Sequence, residues 1–220
     1  MTAVAATGAD LVLLNTGFAG PQLADAIDDE GIDIVIHDDE FTDVLVGSTS
    51  LLIDETGLNQ LSRSGSVSPP TKAGTVVILT SGTTGRPKGA ARRSDPSAID
   101  GVGAVLGRIP LRLRDTQVLA APLFHAWGLS HLLLGLSRCT TNVLARRFDP
   151  AATLGALATH RARVLVVVPV MLARLVQLDP DLLAAHPLPE LRVIASSGSA
   201  IGGELVTRVL DQFGPVLYNL

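Results

Sequence analysis

The chain has 220 residues, of which 47% are apolar and 17% are charged, so it can bury a sizeable core and general disorder is excluded. Aromatic residues make up only 3% of the chain, and we therefore expect an aliphatic core. The net charge of −4 argues against a protein that coats nucleic acid, since that task needs a basic surface.

The first third of the chain predicts two strands with a helix between them. Residues 11–14 are an apolar run typical of a buried strand. Pro21 stands where the first turn of a helix tolerates proline, and Gly31 ends this helix. Residues 32–36 predict the next strand. This pattern indicates one β-α-β unit, in which the two strands lie parallel and are joined by a right-handed crossover.

A segment rich in Ser, Gly and Pro, residues 62–71, then predicts a surface connection. Residues 75–79 form a strong strand that leads directly into a glycine-rich segment. Downstream, helices are predicted over residues 96–106, 129–136, 150–160, 171–178 and 203–213. Strands are predicted over residues 118–120, 142–145, 164–168, 191–195 and 216–218. This alternation predicts an α/β fold with mostly parallel sheets flanked by helices.

Few residues point to redox, metal or membrane chemistry. Cys139 is the only cysteine, so no internal disulfide can form, and a reducing, cytoplasmic location fits this count. No spacing of His, Cys and Glu predicts a zinc site. The longest apolar run, residues 164–173, is about half of the roughly 20 residues that a membrane-spanning helix needs. We expect no transmembrane segment, and the composition leaves peripheral contact with a membrane open.

The glycine-rich segment has the composition of a phosphate-binding loop. Its glycines let backbone amides converge on an anion, its hydroxyls add donors, and its lysine adds a charge-assisted contact. The preceding strand places the loop at the carboxyl edge of a sheet, where ligands of α/β proteins bind. The segment consists of Thr80, Ser81, Gly82, Thr83, Thr84, Gly85, Arg86, Pro87, Lys88 and Gly89.

Two common nucleotide loops do not fit the sequence. In a Walker A loop counted from Gly82, the second glycine would fall on Pro87, and Lys88 would precede Ser or Thr rather than Gly89. A dinucleotide fingerprint that begins at Gly101 and Gly103 has Leu106 in place of its third glycine. A flexible surface turn is the remaining alternative, and the specific order of residues 80–89 argues against it.

That order resembles the signature of the AMP-binding, adenylate-forming superfamily, which includes acyl-CoA synthetases, luciferases and the adenylation domains of peptide synthetases. Two further segments are similar to this family. Residues 122–128, Pro-Leu-Phe-His-Ala-Trp-Gly, look like an acyl-CoA synthetase segment. Residues 195–201, Ala-Ser-Ser-Gly-Ser-Ala-Ile, look like the adenine-side loop. The similarity covers nearly the whole chain and is closest to bacterial long-chain fatty-acid–CoA ligases.

The resemblance implies an enzyme that activates a fatty acid with ATP and Mg²⁺ to an acyl-adenylate and transfers the acyl group to CoA. The partners implied are therefore small molecules. The resemblance assigns the acyl and CoA side of the site to Phe124, His125 and Trp127. It assigns ATP binding to Thr80, Ser81, Gly82, Thr83, Thr84, Gly85, Lys88, Gly198, Ser199 and Ala200. At Gly202 relatives usually have a proline that starts the next helix.

The resemblance also implies that residues 1–220 are an incomplete AMP-binding domain, a central piece of a longer enzyme. The aromatic-Gly-x-Thr-Glu motif that binds phosphate and Mg²⁺, and the small C-terminal domain with its catalytic lysine, are not in this sequence. We therefore expect no metal ligand in this chain and no substantial turnover by these residues alone. Two alternatives stay open: a non-catalytic nucleotide-binding remnant or inactive gene product, and a relative that activates aryl or amino acids.

Overall fold

A computed structural model describes residues 4, 7–45, 47, 49–53, 57, 59, 70–72, 74–80, 88–92 and 107–220, with the backbone alone at residues 80 and 88–92. The chain divides into two units, Met1–Asp95 and Pro96–Leu220. Within the described ranges, no helix is long and apolar enough to cross a membrane. The predicted α/β architecture is confirmed in both units.

The first unit contains two small sheets. Strands β1 (Leu11–Leu13), β4 (Val76–Thr80) and β5 (Lys88–Arg92) form one sheet, in which β1 and β4 are parallel and β4 and β5 antiparallel. Strands β2 (Val35–His37) and β3 (Ser50–Leu52) form the other as a parallel pair. Helix α1 (Gly20–Asp29) and a 3₁₀ helix (Asp39–Leu45) complete this unit.

Helix α1 forms where the sequence predicted it. Its apolar residues Leu23, Ala26 and Ile27 recur at helical spacing and are buried. The helix is followed by Gly31, whose φ of +60° is the left-handed conformation that commonly ends helices. Leu23 and Ile27 pack with Val35 and Leu45, so one face of the helix closes a small apolar cluster.

The predicted β-α-β unit is wrong in its pairing. The strand before α1 pairs with β4, whereas the strand after it pairs with β3 in a different sheet. At the start of β1, Asp10 accepts a hydrogen bond from the backbone N–H of Thr75 at 2.7 Å, which holds β1 beside β4. This bond lowers the pKa of the exposed Asp10 carboxyl below its usual value. Helix α1 therefore connects two sheets instead of crossing over one.

The second unit is a five-stranded parallel sheet with helices on both faces. Its strands are β6 (Thr116–Leu119), β7 (Thr141–Leu144), β8 (Val164–Val167), β9 (Val193–Ser196) and β10 (Leu217–Asn219), in the spatial order β10-β9-β8-β6-β7. Its helices are α2 (Ala126–Ser137), α3 (Pro150–Thr159), α4 (Pro169–Leu175), α5 (Pro180–Ala185) and α6 (Gly203–Phe213). Residues of β8 and β9 are buried throughout, as in sheets covered on both faces.

Two apolar clusters lie on opposite faces of this sheet. Residues Leu165, Val167 and Ile194 pack with side chains from α3, α4 and α6. The alternate strand residues, such as Val166 and Ala195, pack with Trp127 of α2 and with Ile109. The sheet therefore positions whatever follows its carboxyl ends from a rigid, aliphatic core, as the composition predicted.

A buried polar contact fixes α2 on the sheet and allows a test of packing. Gln117 in β6 donates to the carbonyl of His131 at 3.1 Å and to Asn142 Oδ1 at 2.5 Å. A Cβ added to Gly135 would lie only 2.6 Å from Asn142 Oδ1 and 2.7 Å from Gln117 Nε2. A larger residue at this position would therefore force the two hydrogen-bonded side chains to move.

We expect Gly135→Ala to lower the free energy of unfolding by about 1–3 kcal/mol, since it overpacks this contact. The matched control is Gly155→Ala in α3, where an added Cβ meets nothing within 4 Å. That control should be neutral or stabilise by up to about 1 kcal/mol through helix propensity. Urea denaturation of both variants measures the difference, and equal effects would contradict the packing account.

Candidate functional site

The predicted phosphate loop follows β4 in the sequence and leads into β5, and these two strands pair with each other in antiparallel orientation. Thr80 is the last residue of β4 and Lys88 the first of β5, and the two face each other in the antiparallel register. The loop thus follows the carboxyl end of β4, as predicted. One detail differs: Lys88 and Gly89 belong to a strand rather than to the loop. Ser81, Gly82, Thr83, Thr84 and Gly85 lie outside the described residues.

In the second unit, the strand order reverses direction beside β6. The chain runs from β6 outward to β7, returns to β8 on the other side of β6, and continues outward to β9 and β10. In open parallel sheets the crevice at such a reversal, outside the carboxyl ends of the strands, is where ligands bind. The segment after β6 contains Phe124 and His125, and the segment after β9 contains Gly198, Ser199 and Ala200.

His125 is held at this crevice by the start of α2. It occupies the N-cap position, and its Nδ1 accepts the backbone N–H of Trp127 at 3.5 Å. Its own backbone N–H donates to the carbonyl of Pro122 at 3.1 Å. The backbone N–H of Trp127 thus holds the imidazole on one side. Because the residue is exposed, the rest of the ring stays available to a ligand.

Gly198 brings the second predicted segment next to His125. Its φ is +104°, a conformation that residues with a side chain rarely adopt. A Cβ placed there would lie 3.9 Å from His125 Cε1 and 3.7 Å from Val168 Cγ1. Two segments that are about 70 residues apart in sequence are thus neighbours at the carboxyl edge, and the arrangement leaves an open surface of imidazole and backbone.

The other predicted residues of these segments differ in exposure. Ser199 and Ala200 are exposed beyond Gly198, and Phe124 is half-buried. Trp127 is buried in the core, where its indole N–H donates to the carbonyl of Val167 at 3.1 Å. Helix α6 starts at an N-cap, Gly202, that offers no side-chain hydrogen bond.

One residue beside the crevice was not predicted. Val168, which faces Gly198, follows β8 and caps α4. The signal that could have found it is Pro169, because a proline at a helix start marks the carboxyl end of the preceding strand. His131, in α2, is buried and makes an edge contact with Trp127 at a ring-centre distance of 4.3 Å.

No metal ligand set can be assigned. Within the described ranges, no three His, Cys, Asp or Glu side chains lie close enough together to hold a metal ion. The described residues therefore assign no ligand set to the Mg²⁺ that the resemblance implies for the reaction. The arrangement in hand offers exposed backbone, hydroxyls and one imidazole, which suit an uncharged or anionic organic ligand.

Comparison with known proteins agrees with the motifs. A feruloyl-CoA synthase from Amycolatopsis is 30% identical over 216 residues, covering 93% of this chain and 42% of that protein. The N-terminal domain of FACL13 from Mycobacterium tuberculosis superposes with a TM-score of 0.82 at 22% identity, covering 98% of this chain and 56% of that one. O-succinylbenzoate coenzyme A synthetase from Bacillus subtilis, solved in complex with AMP, superposes with a TM-score of 0.76 at 24% identity, covering 98% and 55%.

This chain spans about two fifths of the length of the feruloyl-CoA synthase. The two structural likenesses establish the fold and nothing finer. The family assignment rests on the sequence profile of the AMP-binding enzymes, which matches residues 1–220. The chain therefore belongs to the AMP-binding enzyme family.

Proposed function

We propose that this chain is part of an acid–thiol ligase that activates a carboxylic acid with ATP and transfers the acyl group to CoA. The observation that carries the proposal is the meeting of His125 and Gly198 at the carboxyl edge of the parallel sheet. A ligand there would touch the two segments that the family resemblance assigns to the acyl and adenine sides.

The reaction has two steps in this proposal. A carboxylate oxygen attacks the α-phosphorus of ATP, a P–O bond forms, and pyrophosphate leaves. The sulfur of CoA then attacks the acyl carbon, AMP leaves, and the thiol proton passes to solvent or to a nearby base. Lys88 and the hydroxyls of residues 80–84 would hold phosphate, and the Gly198 segment would border adenine. Mg²⁺, which the resemblance implies for the first step, finds no group of three candidate ligands among the described residues.

The proposed substrate is a fatty acid, on the basis of the segment Phe124-His125-Ala126-Trp127. An aromatic acid is the second candidate, because a relative that matches 93% of this chain is a feruloyl-CoA synthase. Thermal unfolding with saturating ATP and either a fatty acid or a ferulate-like acid would separate them. The acid that raises the unfolding midpoint further is the favoured class, and a larger rise with the aromatic acid would overturn the fatty-acid assignment.

The nucleotide site can be tested through the two lysines of the chain, Lys72 and Lys88. At an ATP concentration near 100 times Kd, binding should stabilise the native chain by about 2.7 kcal/mol. We expect Lys88→Ala to lose most of this gain, because it removes the cation at the predicted phosphate loop. The control variant Lys72→Ala should keep it. Differential scanning calorimetry with and without ATP makes the comparison.

If neither the native chain nor the Lys72→Ala variant gains stability with ATP, the nucleotide site is refuted.

Turnover is a separate measurement. We propose that residues 1–220 alone form little acyl-CoA, since positioning supplies roughly 7–11 kcal/mol of a barrier and part of the family's positioning groups are not in this sequence. Robust acyl-CoA production by the purified chain would contradict this. ATP binding without turnover also fits the alternative of a non-catalytic nucleotide-binding protein.

A further inference from the structure

Trp127 links helix α2 to strand β8 at the point where the strand order of the sheet reverses. It lies in the first turn of α2, directly after the segment that follows β6. Its indole N–H donates at 3.1 Å to the carbonyl of Val167, the last residue of β8. The hydrogen bond therefore joins the first turn of α2 to β8, one of the two strands between which the candidate crevice opens.

The first turn of α2 is fixed on a second side by Gly128. A Cβ at this position would overlap the carbonyl oxygen of Pro122 and would lie 2.6 Å from that of Ala121. Helix α2 therefore begins in direct contact with the backbone at the end of β6. With the indole bond on one side and this backbone contact on the other, the first turn has little freedom to shift or rotate.

His125 takes its place from this turn. Its Nδ1 accepts the backbone N–H of Trp127, and its ring stands beside Gly198. We propose that Trp127 is a positioning residue, which holds the imidazole of His125 at the crevice through the indole bond to Val167 and does not itself form the substrate surface. The importance of this positioning for catalysis rests on the proposed function, whereas the placement of His125 by Trp127 does not.

The burial of Trp127 favours this role over a wall of the acyl pocket. Only 9% of the residue is exposed. One side of the ring system meets His131, and the rest packs in the cluster with Ile109, Leu119 and Val166. Little aromatic surface is left for a substrate, while the single polar atom of the side chain is used in the bond to Val167.

The test uses Trp127→Phe, which retains an aromatic ring but lacks the N–H. Its matched control is Leu134→Ala, which removes buried packing two turns later in the same helix. The readout is the Cε1–Hε1 signal of His125 in the ligand-free, histidine-labelled chain, assigned with His125→Gln. We expect Trp127→Phe to move this signal by more than its line width. The Leu134→Ala variant should lower the unfolding midpoint and leave the signal in place.

A Trp127→Phe protein that loses stability but keeps the native His125 signal would overturn the proposal, because Trp127 would then only pack. Since this variant could unfold, hydrogen exchange of the native indole N–H is a second measurement. Exchange as slow as that of the β8 amides supports the link, and exchange as fast as that of exposed amides refutes it. Neither measurement uses ATP, so a failed nucleotide site and a failed positioning role give different results.

Discussion

Replacing Asp115 by Asn should lower the free energy of unfolding by about 1.5–3 kcal/mol, the range for hydrogen bonds to a buried charged group. Asp115 is 1% exposed and lies just before β6. Its carboxylate accepts two hydrogen bonds from Arg192 Nη2, at 2.9 and 3.1 Å, and one from the backbone N–H of Arg112 at 3.1 Å. Arg163 lies 3.5 Å away.

The loss is large because a second buried charge depends on this carboxylate. Arg138 is only 8% exposed, and its guanidinium donates to the carbonyl of Arg112. Burial lowers the pKa of Arg138, and the charge of Asp115 acts in the opposite direction. An amide at residue 115 would remove a negative charge that favours this buried cation, and it would disturb the amino ends of β6, β8 and β9 together.

Glu190→Gln is the matched control for Asp115→Asn. Glu190 also pairs with Arg163, at 3.3 Å, and with Arg161, at 2.8 Å, but these contacts lie at the surface, where water and salt screen them. The loss in free energy of unfolding caused by Glu190→Gln should be a small fraction of the loss caused by Asp115→Asn. Urea denaturation at two salt concentrations measures both, and equal losses would contradict the account that burial makes the Asp115 cluster costly to break.

The second large effect is a loss of stability in mild acid that depends on His131. Burial first, and the charge of Arg138 second, lower its pKa from 6.5 to about 4. The imidazole is therefore neutral in the folded chain, and neither ring nitrogen has a hydrogen-bond partner among the described residues. Below pH 6.5 the unfolded chain takes up a proton at His131 that the folded chain does not. The free energy of unfolding therefore decreases as the pH is lowered from 6.5 to the folded pKa of about 4.

Over this window His131 should remove roughly 3 kcal/mol of the free energy of unfolding, and above pH 6.5 it should contribute no pH dependence. Replacing it by Leu should remove that part of the acid sensitivity and leave stability at pH 7 equal or higher. His160→Gln, at an exposed position, is the control and should keep the native profile. Urea denaturation between pH 4 and 8 tests this, and an unchanged slope in the Leu variant would refute it.

Local signals predicted most of the second unit. Helix α3 begins where Asp149 caps and Pro150 starts the first turn, and helix α6 has the predicted bounds. The same Asp-Pro signal at residues 179–180 marks α5, which was not predicted, because the helix is only six residues long. Strands β8 and β9 were identified from their uninterrupted aliphatic runs.

The errors concern contacts between distant segments. The predicted loop includes Lys88 and Gly89, the first two residues of β5, because Lys-Gly-Ala-Ala-Arg has little strand propensity. The strand forms through pairing with β4. The predicted pairing of β1 with β2 failed because the neighbour of β1 comes from about 65 residues later in the chain. The closeness of His125 and Gly198 likewise depends on the strand order, which local periodicity does not contain.

The chain has a single tryptophan, and it bridges residues 40 positions apart. Its intrinsic fluorescence is therefore a clean optical probe of one nonlocal event during folding, the docking of the first turn of α2 against β8. Such long-range closure is slow compared with helix formation, since loop entropy must be overcome first. A refolding trace at tryptophan wavelengths would consequently follow assembly of the parallel sheet rather than growth of its helices.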